Sequence, residues 1–118
     1  MKLRIQGNSL RLRLTQKEVT RVRNQGLVES VIEFAPGQSL AYLLEGSPNA
    51  ETMSTTFDGR AIRVTIPMHR MTDWVESDLV GIEARSNTGV DLLIEKDFKC
   101  LHRSVEQEPD AYPHPLMT

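Results

Sequence analysis

Cysteine is nearly missing from this chain: Cys100 is the only one among 118 residues. No internal disulfide can form, so secretion is neither required nor excluded on that ground. No apolar run follows the basic start "MKLRIQGNSL" for long enough to make a signal peptide, and none approaches membrane-spanning length. The default is a cytoplasmic protein without a membrane partner. Aromatic residues make up only 5% of the chain, and none interleaves with Arg11 or Arg13 as a base-stacking surface would need. Neither a Gly-x-x-Gly nor a phosphate-binding loop occurs, which argues against nucleic acid as a partner. The formal net charge of -2 creates no global field.

What the chain does have is an uneven charge distribution. Residues 1 to 25 carry Lys2, Arg4, Arg11, Arg13, Lys17, Arg21 and Arg23 against Glu18 alone. This stretch is either an anion-binding surface or a solvated face paired with acidic strands of the same domain. The near balance of total charge favours the second. At 118 residues, with 39% hydrophobic content, the chain suits one domain with one core and at most a small cavity.

Periodicity predicts about eight short strands and two short helices. "KLRI" and "LRLRL" flank the turn "QGNS"; Leu10, Leu12 and Leu14 alternate with Arg11 and Arg13. Thr15 with Glu18 forms a capping box that opens a helix, and Gly26 closes it. "VESVIEF" and "SLAYLLE" form a second hairpin through "APGQ". "MSTTFDGRAIRVTIP" forms a third, with Asp58-Gly59 as its two-residue turn. Pro67 ends that strand and can open a helix in which Met68, Met71 and Val75 share a face beside Trp74. Trp74 is a natural plug for one open side of the sheet. "DLVGIEAR" and "VDLLIEK" are the last two strands, joined through "SNTG". The sequence shows no internal repeat. Residues 1–103 read as one compact α+β domain and residues 104–118 as an acidic, proline-containing tail. The architecture expected is a curved, mainly antiparallel sheet or partly open barrel, because sequential strands usually pair.

Three sets of residues invite a chemical reading. Cys100 and His102 lie two apart on "EKDFKCLHR", and Asp110 and His114 would complete a zinc-type ligand set if the tail folds back. No Cys-x-x-Cys or His-Glu-x-x-His supports this, and an unpaired cysteine is often a small apolar side chain. In the same strand Glu95 and Asp97 are read as lying on different faces, so they form no carboxylate pair, and Phe98 as an aromatic that the strand buries. Cys100 as a nucleophile needs a base from His69, His102 or His114, and nothing in the sequence places one beside it. Finally, Arg11, Arg13, Glu29, Glu33, Arg63, Glu83 and Glu95 fall opposite the apolar phase of their strands. Turned inward, that face makes a mixed-charge tunnel for a small anion. Triphosphate-hydrolysing barrels work in this way, but their opening Glu-x-Glu-x-Lys pattern is absent. Turned outward, it is an ordinary solvated face.

The strings "MKLRIQGNSLRLRLTQKEV", "VGIEA" and "EKDFKCLHR" followed by "PDAYPHP" resemble a family of small uncharacterised bacterial proteins of unknown function. The resemblance spans essentially the whole chain. It implies a compact free-standing domain of bacterial origin and carries no catalytic residues across. The reading favoured is a non-enzymatic binding or structural domain that forms a homodimer. The alternatives are a metal-dependent phosphate- or anion-processing enzyme using the charged sheet face, and a metal-binding protein built on Cys100 and His102. No cofactor is specified.

Overall fold

The computed structural model describes residues 1–98 and Tyr112. Eight strands and two helices follow one another as β1 (Lys2–Gln6), β2 (Ser9–Leu14), α1 (Gln16–Gln25), β3 (Leu27–Ala35), β4 (Gln38–Ser47), β5 (Ser54–Phe57), β6 (Ala61–Pro67), α2 (Met68–Glu76), β7 (Gly81–Arg85) and β8 (Asp91–Lys96). The fold is α+β, mainly antiparallel and open. The strands form two four-stranded sheets rather than one. Sheet A has the order β1-β2-β8-β7 and sheet B the order β3-β4-β6-β5.

Each sheet consists of two antiparallel hairpins joined side by side. The joining pairs, β2 with β8 and β4 with β6, are parallel, which the expectation of sequential antiparallel neighbours did not include. These pairs reveal a repeat of topology. The first half of the chain runs hairpin, α1, hairpin; the second runs hairpin, α2, hairpin. Laying β1–β4 onto β5–β8 exchanges sheet A with sheet B strand for strand. A sequence without internal similarity therefore folds as a duplicated unit, because strand period and turn positions survive where residue identity does not.

Local chemistry sets the ends of α1 as the spacing predicts. The Thr15 hydroxyl accepts from the Glu18 amide, the Glu18 carboxylate accepts from the Thr15 amide at 2.9 Å, and Gly26 closes the helix at φ 74°. The equivalent α2 has no side-chain cap; it starts directly from Pro67, the last residue of β6. The β5–β6 turn differs from expectation by one residue. Asp58 N–H donates to the Ala61 carbonyl, and Gly59 at φ 93° takes the first central position, with Arg60 second. A glycine of positive φ belongs in the first place of a type II′ turn. Asp58 caps the turn from outside, accepting the Arg60 and Ala61 amides at 2.8 Å each.

The two sheets and both helices share one core. Leu10, Leu12, Leu14, Ile82, Leu92 and Ile94 from sheet A meet Val28, Leu44, Val64 and Ile66 from sheet B. Val22 of α1, Met71 and Trp74 of α2 and Met53 ahead of β5 complete it. Trp74 is the plug expected of it: the ring is fully buried and its Nε1–H donates to the Val80 carbonyl at 3.2 Å. Lys96 Nζ stands 5.9 Å from the centre of that ring and donates to the Ser77 carbonyl at 2.7 Å. Met68, expected on the same buried face as Met71, is instead part-exposed at the start of α2. β8 ends at Lys96, where its apolar phase ends. No helix among the described residues is long and apolar enough to cross a membrane.

Candidate functional site

Because the apolar phase of every strand turns into the shared core, the charged phase turns outward. Arg11, Arg13, Glu83 and Glu95 all lie on the outward face of sheet A. Glu29, Glu33 and Arg63 lie on the outward face of sheet B. The seven residues that a tunnel would gather are thus divided between two outer faces, and the open sheets enclose none of them.

On sheet A these residues form an ion-pair cluster. The β1–β2 register sets Lys2 opposite Arg13 and Arg4 opposite Arg11, two like-charged pairs that repel across the hairpin. The parallel register then brings Glu95 beside Arg13. Glu95 Oε1 accepts from Arg13 Nε at 3.0 Å and Nη2 at 2.9 Å, with Arg11 Nε at 3.6 Å. Asp97 receives Lys2 at 3.2 Å and lies 4.0 Å from Arg13. Glu95 and Asp97 therefore stand on the same side, contrary to the reading from sequence: residues two apart on an extended chain share a face, and Arg13 reaches both. Gly81 sits opposite Glu95. A Cβ there would come within 2.8 Å of the Ile94 carbonyl, so only glycine fits.

On sheet B, Arg63 Nη1 donates to Glu45 at 2.7 Å, and Glu45 also accepts from the Thr65 hydroxyl. Sequence reasoning passed over Glu45 because its parallel neighbour is 20 residues away in the chain. Leu43 is buried on this same outward face, between Glu29 and Arg63 in the register.

The other candidate surface is apolar. Beyond the shared core, the inward phase of sheet B continues toward its far end, where no described residue covers it. Ile32 (47% exposed) and Phe57 (64%) are open there, and Phe34 (68%), the unpaired residue of the bulge between Glu33 and Ala35, is exposed at the tip of the hairpin. Beside them the turns of the two hairpins bound a groove of about 340 Å³ lined by Phe34, Gly37, Gln38, Ser39, Gly59 and Arg60. Backbone donors from Ala61 and Arg60 hold the Asp58 carboxyl below its ordinary pKa, fixing the turn that carries Arg60. This region lies opposite the end where α1 and α2 sit. It was not singled out from sequence, since the spacing of Val28, Ile32 and Phe34 reads as one buried face, and the bulge at Phe34 has no local signal.

Cys100, His102, Asp110 and His114, the metal ligands suggested by the sequence, lie outside the described residues, as does the tail 104–118 apart from the exposed Tyr112. No group of three or more His, Cys, Asp or Glu placed to hold a metal ion occurs among the described residues. Phe98, expected to be buried at the end of β8, is 60% exposed.

Fold and faces together define a small duplicated α+β domain with two open sheets. Residues 1–116 match the model of a family of unknown function, DUF7009, and the chain belongs to that family. No curated protein matches the chain. No solved structure matches it either.

Proposed function

We propose that this domain is a non-enzymatic binding module whose recognition surface is carried by sheet B. The observation that supports this is the open apolar end of that sheet, where Ile32 and Phe57 continue the core phase into solvent and Phe34 is exposed in the bulge at the tip of the β3–β4 hairpin. Exposed apolar groups are ordinary when scattered singly, but several at one end of a sheet beside a groove point to an interaction surface. Arg60 at its rim adds one cation to an otherwise neutral lining. The charged cluster on sheet A serves the fold instead: Glu95 and Asp97 relieve the repulsion built into the β1–β2 hairpin.

Two measurements test the reading. An anilinonaphthalene dye should bind the folded protein and lose most of its fluorescence gain in a Phe34→Ser, Phe57→Ser double variant of unchanged melting behaviour. Incubation with tripolyphosphate and magnesium or manganese should release no phosphate above the rate without protein. Phosphate release that disappears in Arg13→Gln would replace this reading with anion processing on the face of sheet A.

A further inference from the structure

Two glycine turns meet at the far end of sheet B. The β3–β4 turn is Pro36-Gly37, with Gly37 at φ 77°, and the β5–β6 turn is Gly59-Arg60. Proline presets the backbone of the first turn, and the glycine takes the positive φ that follows it. The bulge between Glu33 and Ala35 leaves Phe34 without a strand partner at the tip of its hairpin. The next strand then ties the two turns together: the Ala41 amide of β4 donates to the Arg60 carbonyl at 2.9 Å. The groove of about 340 Å³ lies between them. That volume is at the small end of the range for ligand pockets and suits a small molecule.

The lining offers one charge. Phe34 supplies an exposed aromatic face, and Gln38 and Ser39 supply neutral polar groups. Arg60 supplies the cation. Arg11, Arg13, Arg23, Arg63 and Arg85 each have a carboxylate at 3.8 Å or less, whereas the Arg60 guanidinium has none among the described residues. Its neighbour Asp58 is turned to the Ala61 and Arg60 amides; these hold the carboxyl down first, and the Arg60 charge is the least of the causes. Glu33, opposite Ser39 in the β3–β4 register, is not part of the lining.

We infer that this groove binds a small carboxylate with an apolar body, an aryl or alkyl acid. This rests on the binding-module reading and names its ligand class. A planar guanidinium pairs with a carboxylate through two parallel N–H···O bonds, and one cation matches one negative charge. A phosphate dianion would call for a second cation, and the lining holds only Arg60. The apolar body lies against Phe34, on the side of Ile32 and Phe57, and covers apolar surface that now meets water.

A magnetic-resonance titration of the full chain with hydrocinnamate tests the inference. An acid of this size should bind with a dissociation constant on the order of 1 mM. The amides that shift should be those of Phe34, Gly37, Gln38, Ser39, Gly59 and Arg60. Hydrocinnamyl alcohol keeps the apolar body without the charge, and should bind about tenfold more weakly. Inorganic phosphate at the same concentration should leave these amides in place. Arg60→Gln, with unchanged melting, should weaken the acid by about the same tenfold and leave the alcohol as it was. Equal binding of acid and alcohol, wild-type affinity for the acid in Arg60→Gln, phosphate shifting the same amides, or shifts confined to other residues would each overturn it. If Arg60→Gln fails to fold, the comparison of acid with alcohol on the wild type decides alone. Hydrocinnamate that moves none of these amides, while the dye still reports Phe34 and Phe57, would remove this inference and leave the binding-module reading standing.

Discussion

At the scale of single residues, Glu18 does more than its place in a capping box requires. Burial raises its pKa, but the Met1 ammonium and the amide and hydroxyl of Thr15 outweigh that and hold it below the ordinary 4.5. A carboxylate whose pKa falls on folding stabilises the fold above its unfolded pKa. It loses that contribution as the pH drops through the lower, folded value. Glu18→Gln keeps the side-chain acceptor of the capping box and removes the charge. It should cost about 0.5–1 kcal/mol at pH 7. Urea melts should show the gap to wild type narrowing as the pH falls below 4.5. The residues that define α1 were legible in the sequence because a capping box and a C-terminal glycine are local devices. Arg63 and Glu45 were not, because their meeting depends on a parallel strand pair that no local signal announces.

Among the elements, α2 shows how a weakly started helix is held. It has no side-chain cap, so its stability comes from packing, chiefly through Trp74 at 0% exposure. Trp74→Ala should cost about 3–5 kcal/mol, a large share of the total for a domain this size, and chemical denaturation should read it directly. Strand period was legible almost throughout: Leu12, Leu44, Val64 and Ile94 all face the core as alternation predicts. Its limit is equally plain in β3. The same apolar phase that buries Val28 leaves Ile32 in the open, since period tells which face a residue takes and not whether anything covers that face; at Phe34 a bulge breaks the period itself.

For the whole molecule, the duplication governs how the halves depend on each other. Each sheet takes one hairpin from each half, so neither half contains a complete sheet. Residues 1–48 alone should therefore show no cooperative melt by circular dichroism. Mixing them with residues 49–118 should restore one. A cooperative melt of the first half by itself would contradict the shared core. Sequence could not show this, because duplication is written here in the order of hairpins and helices and not in residue identities.

The duplicated halves have parted company in charge. The outward face of sheet A carries Lys2, Arg4, Arg11, Arg13 and Arg85, outnumbering its carboxylates, whereas that of sheet B carries Glu29, Glu33 and Glu45 against Arg63. In a chain with a net charge of only -2, the described strands thereby contribute an electric dipole directed across the two sheets. A field of this kind orients an approaching charged body before contact, and added salt shortens its reach.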